Sequence, residues 1–257
     1  LSTLVSSEFD EEVLAELADC HFQNGNYEDA AGTYFMLANI SPTNLLYKVR
    51  QASIFYKLKA YDNAIEAGKA ALRIDSIAAI ASLVGDAYNQ IEQHDSAMVY
   101  YNKALAVKPL YESVVSKAAK IYLNRKDYPS AIEMTDKYLA QDPDNFIIAP
   151  IKGLALYLKG DYEPAIEVFE SQKKLGNNSY GVHYNLGQCY WRTKVLYRAE
   201  EELNAAWQID SSDVNLAFSI AGVKSDAWHP FEEQIKPWLD KALEMIEPDP
   251  ALMSRIH

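Results

Sequence analysis

The amino-acid sequence predicts an all-α fold: a solenoid of about seven antiparallel helix pairs. Two registers of small residues, each with a period of 33 or 34 positions, predict it. Self-similarity at a fixed period is the sequence signature of a repeat architecture. The later register in each unit holds Ala30, Ala64, Ala97, Ala131, Ala165 and Ala199. The earlier register lies twelve positions before it and holds Ala18, Ala52, Gly85, Ala119, Gly153 and Gly187, followed by Ala221.

Each unit is predicted to hold an A helix with the first small residue and a B helix with the second. Where two helices cross closely, a side chain larger than methyl pushes their axes apart. Glycine inside a helix costs roughly 1 kcal/mol relative to alanine. We therefore expect the cost of Gly85, Gly153 and Gly187 to be offset by packing. The alternative, that these glycines end helices, is disfavoured by the fixed register.

Glycine and proline mark the predicted helix boundaries at matching phases. Gly25 and Gly160 lie between the A and B helices and suit a left-handed helix stop. The prolines predicted in the first turn of a B helix are Pro129 and Pro164, and those just after a B helix are Pro42, Pro109 and Pro143.

Two segments carry a family pattern. One runs Tyr184-Asn185-Leu186-Gly187-Gln188-Cys189-Tyr190 with Ala199 later, and the other runs Gly85-Asp86-Ala87-Tyr88 with Ala97, Tyr101 and Pro109. On these residues the chain resembles the tetratricopeptide repeat family, over about residues 11–248. The resemblance implies a right-handed superhelical solenoid and a scaffold with a concave surface lined by A helices. It names no reaction, because this fold serves many processes.

Repeats are predicted at 11–44, 45–77, 78–111, 112–145, 146–179 and 180–213, with an irregular seventh at 214–248. In the seventh, Lys224 replaces an aromatic residue and Trp228-His229-Pro230 lengthens the turn. Pro237 is expected to kink or restart its B helix. Residues 1–10 are predicted to be a frayed segment or the end of a preceding helix. Residues 249–257 are predicted to start a further, truncated helix.

Net charge, hydropathy and cysteine content argue against several classes of function. The formal net charge of −12 disfavours nucleic-acid binding and docking on anionic lipid, and no apolar run is long enough for membrane insertion. Cys20 and Cys189 form neither a disulfide framework nor a zinc site, and both are predicted to be reduced and buried. The sequence starts at Leu1 and not at a methionine, and proteins of this family are frequent in the bacterial envelope. Both observations favour the bacterial periplasm or cell envelope, and the cytoplasm is left open.

No residues in the sequence assemble into a predicted catalytic, cofactor or metal site. The five histidines lack metal-binding spacing, and His21 and His94 stand at phases that hold aromatic residues in other repeats, so we expect them to pack. The run Glu200–Glu202 is typical of a solvated helix face. An enzyme is therefore not predicted.

A candidate binding face follows from the register of the A helices. Residues at offsets −6, −3, +1, +4 and +5 from the small A-helix residue share one side of a helix. The candidate peptide-groove residues on or beside it are Arg50, Ser53, Tyr56, Lys57, Lys117, Lys120, Tyr157, Tyr184, Gln188, Trp191 and Arg192. Large rigid side chains at +4 are good anchors for a partner; the alternative is that they pack against neighbouring helices.

The leading hypothesis is a non-catalytic protein–protein interaction scaffold that binds a peptide or protein segment in a concave groove. Because Arg50, Lys57, Lys117, Lys120 and Arg192 map to the groove side of an acidic chain, we expect an acidic segment. Reversing Lys117 and Lys120 to glutamate should then weaken capture. The alternative hypothesis is a regulatory or sensing arm of a longer multidomain protein. The oligomeric state is left open.

Overall fold

The computed structural model describes residues 2–227 and 232–245, with side chains described for residues 11–227 and 233–245. Within these ranges the chain forms fourteen α-helices and no strand, which confirms the all-α helical-repeat prediction. The odd-numbered A helices are α1 (Ser2–Gln23), α3 (Leu45–Lys57), α5 (Ala78–Gln90), α7 (Glu112–Asn124), α9 (Ile148–Lys159), α11 (Tyr180–Arg192) and α13 (Val214–Ala227). The even-numbered B helices are α2 (Tyr27–Ile40), α4 (Tyr61–Ile74), α6 (His94–Val107), α8 (Tyr128–Leu139), α10 (Tyr162–Lys174), α12 (Leu196–Ile209) and α14 (Glu232–Met245).

The helices group into two compact units, residues 1–118 and residues 119–257, and the boundary falls inside α7. In the first unit α1 packs on α2, α3 on α4 and α5 on α6, and the B helices α2 and α4 also pack on the A helix that follows. The second unit repeats this pattern from α8 to α14. Within the units, α2, α4, α10 and α12 each pack on two A helices and therefore hold consecutive repeats together.

The chain ends differ from expectation or lie outside the described residues. Helix α1 begins at Ser2, so it includes residues 2–10, for which a frayed segment or the end of a preceding helix was predicted. The predicted further helix at 249–257 and the lengthened turn at 228–230 lie outside the described residues.

Left-handed residues stop the A helices at one phase. The predicted stops at Gly25 and Gly160 are confirmed, with φ of 78° and 100°. Four other repeats place a side-chain-bearing residue there with φ between 59° and 63°, namely Lys59, Glu92, Lys126 and Lys194. Left-handed backbone costs a residue with a Cβ roughly 1–2 kcal/mol, so the repeat geometry holds these turns against their local preference.

Glycine in the A-helix register permits close helix crossing, as predicted. A Cβ added to Gly85 would lie 2.7 Å from the ring of Tyr101, and one added to Gly153 would lie 2.6 Å from the ring of Phe169. All three register glycines lie inside helices and none of them ends one. The cost of an interior glycine is therefore offset by a large B-helix side chain that packs onto its bare backbone.

Each unit has an apolar interior built from both registers. In the first unit, buried residues such as Ala30, Tyr34 and Ile54 join α1, α2 and α3. In the second, Phe169, Leu186, Leu203 and Ile220 are fully buried and join α10 to α13. Each repeat thus buries its neighbours' apolar faces, as expected for stacked units that cannot bury enough surface alone.

The seventh repeat keeps its two helices despite its irregular sequence. Lys224, which replaces an aromatic residue, forms an ion pair with Glu200 on α12. Helix α14 runs through Pro237 without interruption, so the helix does not restart there. Trp238 on α14 packs edge-on against Trp207, with ring centroids 5.0 Å apart. Ion pairing and aromatic packing therefore substitute for the usual repeat residues.

Candidate functional site

The candidate residues of the first unit lie on α3, and most of them contact neighbouring side chains. Arg50 Nε lies 3.1 Å from Asp19 Oδ1, and its guanidinium carbon lies 5.2 Å from the ring centroid of Phe22. Ser53 donates to the carbonyl of Val49 in its own helix. Arg50 is therefore balanced by a carboxylate from the preceding repeat and does not contribute a free positive charge.

Tyr56 and Lys57 complete the candidate set on α3. The Tyr56 ring packs edge-on against Tyr61 with centroids 5.6 Å apart, and burial is the main cause that raises its pKa above the usual value. Lys57, the next residue, is exposed. The Tyr56 ring therefore packs against neighbouring side chains of the array, which was the alternative to a role in partner binding. Lys57 is exposed to solvent.

An aspartate with two partners recurs in the first unit. Asp19 accepts a hydrogen bond from Tyr34 at 2.6 Å, and Asp86 accepts one from Tyr101 at 2.8 Å. Asp86 also pairs with the candidate residue Lys117, whose Nζ lies 2.7 Å from its Oδ2. The expected basic character at Lys117 is thus offset by Asp86. Desolvation of Tyr101, followed by the nearby Asp86 charge, raises the pKa of its phenol.

The candidate residues of the second unit are Lys120 on α7, Tyr157 on α9, and a group on α11. Lys120 is exposed. The Tyr157 ring packs on Tyr162 with centroids 5.7 Å apart. Arg192 is also exposed, and its hydrogen bond to Tyr157 raises the pKa of the guanidinium. The structure therefore brings Tyr157 and Arg192 together across two adjacent repeats.

Tyr184 and Trp191 are half-buried aromatic residues of α11. Tyr184 stacks on Tyr180 with centroids 5.7 Å apart and an interplanar angle of 11°. The Trp191 indole Nε1 donates to Asp226 at 2.9 Å. A Cβ at Gly222 would lie 2.4 Å from the Trp191 ring, so the ring lies against bare backbone of α13. We call Tyr157, Tyr184, Trp191 and Arg192 the aromatic A-helix face.

Gln188, predicted on the same side of α11, is buried between α11 and α13 and does not belong to that face. Its Nε2 donates to Ser219 Oγ at 2.7 Å. The same offset of 31 residues joins Asp19 to Arg50 and Asp86 to Lys117. The physical reason is therefore positional: the +1 side chain of one A helix reaches the −2 side chain of the next.

A small cavity of about 210 Å³ lies at the carboxyl end of α11. Its lining residues are Trp191, Arg192, Lys194 and Asp226. Lys194 Nζ lies 2.9 Å from Asp226 Oδ2, the atom that also accepts from Trp191. These two donors lower the pKa of the Asp226 carboxyl. Asp226 thus stays ionised and fixes the indole beside the exposed Arg192.

The prediction that the run Glu200–Glu202 forms a solvated helix face was wrong. Only Glu201 is exposed; Glu202 is 4% exposed and accepts from His183 Nδ1 at 2.7 Å and from Lys173. The run spans 200° of helix circumference, so it cannot all face solvent. The signal that was missed is a lysine and a histidine on α10 and α11 at positions that face α12.

The prediction that both cysteines are buried was half wrong. Cys189 is fully buried, and burial raises the pKa of its thiol to about 12, whereas Cys20 on α1 is exposed. The prediction that His94 packs within the array agrees with the structure, since His94 is half-buried and hydrogen-bonds to Asn89 at 3.0 Å.

The part of the chain that the structure describes has no group of three or more His, Cys, Asp or Glu residues that could hold a metal ion. Its helices also include none with the length and apolar character needed to cross a bilayer.

Two family models match parts of the chain. The model of the tetratricopeptide repeat matches residues 79–109, and that of subunit 3 of the anaphase-promoting complex, or cyclosome, matches residues 124–206. The chain is 22% identical to anaphase-promoting complex subunit 3 of Schizosaccharomyces pombe over 52% of this chain and 20% of that protein. It is 25% identical to intraflagellar transport protein 70A of Xenopus tropicalis over 70% of this chain and 22% of that protein. The chain thus spans about a fifth of the length of these relatives.

Solved structures of repeat proteins match nearly the whole chain. The C-terminal part of a TPR repeat-containing protein from Cytophaga hutchinsonii matches with a TM-score of 0.75 at 16% identity, over 93% of this chain and 98% of that one. A tetratricopeptide repeat protein from Parabacteroides merdae matches with a TM-score of 0.66 at 15% identity, over 95% and 96%. At such identities the likeness concerns the fold. Together with the family models and the register of small residues, it supports a repeat protein of the tetratricopeptide type.

Proposed function

We propose that this protein is a non-catalytic interaction scaffold whose second unit holds an acidic segment of a partner protein on the aromatic A-helix face. One observation carries the proposal: Tyr157, Tyr184 and Trp191 are half-buried on neighbouring A helices, and the exposed Arg192 lies among them. Tetratricopeptide repeat proteins serve as protein–protein interaction scaffolds. The acidic character of the partner segment and the absence of catalysis are both part of the proposal.

Preorganisation of the aromatic rings supports this use of the face. Tyr157 is held by Tyr162, Tyr184 by Tyr180, and Trp191 by Asp226. A ring that is already ordered loses little rotamer freedom when a partner packs on it. Aromatic and arginine side chains are also the residue types that contribute most to protein interfaces. The face therefore offers anchors at a low entropic cost.

The distribution of charge supports an acidic partner segment. Of the five candidate cations, Arg50 and Lys117 are paired with Asp19 and Asp86, whereas Lys57, Lys120 and Arg192 are exposed. Two of the exposed three belong to the second unit. Exposed cations steer an oppositely charged segment and fix its register, even where each contributes little affinity.

A selection from a random-peptide display library tests the proposal. We expect the selected peptides to be rich in Asp, Glu and apolar residues. Lys120→Glu combined with Arg192→Glu should weaken their binding about tenfold, because close charge pairs at an interface are lost and replaced by repulsion. The measurement is the Kd of one selected acidic peptide by isothermal titration calorimetry.

The matched control reverses two exposed B-helix lysines, Lys137→Glu and Lys174→Glu, which changes the net charge equally. Lys137 pairs with Glu133 at the surface, and such a pair contributes little to stability. The control should leave the Kd within about twofold of the unchanged chain, as expected for charges outside the interface. Equal weakening by both double variants, or selection of basic peptides, would contradict the proposal.

A second candidate function is a structural arm of a multiprotein assembly, which includes a regulatory or sensing role in a longer protein. It is favoured by the match of residues 124–206 to the model of an anaphase-promoting complex subunit. In that case the full-length protein from its source cells should elute in a large complex of constant composition. Elution as a single chain would contradict this candidate and leave the peptide-binding proposal unaffected.

A further inference from the structure

Two tryptophan rings of the second unit meet at nearly a right angle and hold a positive charge between them. The planes of Trp207 on α12 and Trp238 on α14 lie at 86°, with ring centroids 5.0 Å apart. Lys241 Nζ lies over both rings, 5.2 Å from the centroid of Trp207 and 4.4 Å from that of Trp238. An aromatic ring attracts a cation within ~6 Å of its centroid, and indole attracts it most strongly. We call these two rings the tryptophan corner.

Contact with two rings distinguishes Lys241 from the other cations that the structure describes. Those that also lie over an aromatic ring contact one ring each, namely Arg50, Lys69, Lys103, Lys108 and Arg198. Within the described ranges, no carboxylate forms an ion pair with Lys241. The corner, and not a carboxylate, is therefore what binds this ammonium.

The rings of the corner are held in place independently of the cation. Trp207 and Trp238 are both half-buried, and both pack against the core of the second unit that contains Leu203 and Ile220. Rings that are already ordered by packing lose little rotamer freedom when a ligand binds. The tryptophan corner is thus a preformed cation site.

Lys241 is a weakly held occupant of this site. Its side chain is exposed, and an exposed cation–π contact shifts an equilibrium by only about two- to fivefold. A primary ammonium is also strongly hydrated, so it gains little by leaving water for a ring. A quaternary ammonium has no N–H groups to hydrate, and aromatic cages are the sites that recognise it. Such a cation can therefore displace the ammonium of Lys241.

The surroundings of the corner favour a methylated lysine side chain as the carrier of that cation. The present occupant is itself a lysine, so the four-carbon stem of this residue reaches both rings. Asp240 and Glu244, on either side of Lys241 along α14, are exposed carboxylates, and the chain has a formal net charge of −12. These charges attract a basic peptide and repel the phosphate that accompanies choline in a lipid headgroup.

We propose that the tryptophan corner binds the trimethylated ammonium of a lysine side chain in a partner protein, and that Lys241 leaves the corner when this side chain enters. The methyl groups pack on both indole rings, and Asp240 and Glu244 attract basic residues that flank the modified lysine. The site is separate from the aromatic A-helix face, and the proposal does not depend on acidic-segment binding.

Isothermal titration calorimetry of the full chain with three forms of one basic peptide tests the chemistry of the site. The central residue of the peptide is trimethyllysine, unmodified lysine, or the neutral tert-butyl isostere of trimethyllysine. We expect the trimethyllysine form to bind about tenfold more tightly than either of the others, because only it combines positive charge with weak hydration. Phosphocholine, which carries the same cation beside a phosphate, should bind more weakly than the trimethyllysine peptide.

A substitution of the occupant tests the displacement step. Lys241→Gln removes the competing cation at an exposed position, so it should tighten the Kd of the trimethyllysine peptide about two- to fivefold. The matched control Lys236→Gln makes the same change in net charge at another exposed position of α14. It should change the Kd by less than about 1.5-fold, since Lys236 is not among the cations that lie over a ring and exposed charges are screened by salt. Both variants should keep the helical circular dichroism of the unchanged chain.

The position of the ligand is read from the indole N–H signals in nuclear magnetic resonance spectra. Titration with the trimethyllysine peptide should shift the signals of Trp207 and Trp238 and leave that of Trp191 unchanged. A shift of the Trp191 signal alone would place the ligand on the aromatic A-helix face and would overturn the proposal.

Three calorimetric results would also overturn it. They are equal Kd values for trimethyllysine and its neutral isostere, no gain in affinity in the Lys241→Gln variant, and an equal gain in the Lys236→Gln control. Tighter binding of phosphocholine than of the peptide would overturn the assignment of the ligand to a lysine side chain.

Discussion

Replacing Phe169 with alanine is expected to lower the free energy of unfolding by about 3–5 kcal/mol. Phe169 lies on α10 and is fully buried, and its ring packs on the bare backbone of α9 at Gly153. Removing it leaves a cavity that the rigid helix crossing cannot close. Urea denaturation followed by far-ultraviolet circular dichroism measures the change.

Two companion variants test whether the glycine and the ring act together. Gly153→Ala should destabilise by about 1–3 kcal/mol through overpacking against Phe169. In the double variant with Phe169→Leu, the smaller side chain makes room for the methyl group, so the loss should be smaller than the sum of the single losses. Tyr197→Ala is the control, since Tyr197 is 81% exposed and its loss should change stability by less than about 0.5 kcal/mol. Strict additivity would show that the small register does not govern the crossing.

The second large effect is expected at Glu202. Glu202→Gln should destabilise the second unit by about 2–4 kcal/mol, because Lys173 and His183 lose the buried carboxylate that they share. Its partners Lys173 and His183 come from α10 and α11, and the carboxylate accepts from both of them. We place the value below that of a fully buried pair because the Lys173 side chain is 25% exposed.

The neighbouring residue supplies the control for Glu202. Glu201→Gln makes the same chemical change on the same helix at an exposed position, so it should alter stability by less than about 0.5 kcal/mol. Equal effects of the two substitutions on the urea midpoint would contradict the assigned role of Glu202.

The sequence was sufficient to predict the fold because the same small residues recur at the same positions of successive repeats. The register of small residues located helix crossings such as those at Gly85 and Gly153, and glycine and proline located several helix ends. The left-handed turns at Lys59, Glu92, Lys126 and Lys194 could not be predicted from residue preference, because lysine and glutamate disfavour that backbone. Their phase alone, seven residues after the small position, indicates the turn.

The site was less predictable, because side-chain pairing joins residues about one repeat apart in sequence. Arg50 and Lys117 have the sequence position of free cations, and only the stacking of A helices shows that Asp19 and Asp86 balance them. Gln188 faces the expected side of α11, yet the next helix covers it. Cys20 occupies a phase that is buried in the other A helices, yet it is exposed on α1. Periodicity places a residue on a face but does not determine what lies opposite.

Photo-crosslinking tests the central functional claim most directly. A benzophenone side chain is introduced at Leu158, which is 42% exposed at the end of α9, or at Tyr197, which is 81% exposed on the B helix α12. The selected acidic peptide is then bound and irradiated. We expect crosslinks from position 158 and none from position 197, although position 197 is more accessible. Crosslinks from position 197 alone would show that the partner binds the B-helix side and would contradict the assignment of the binding face.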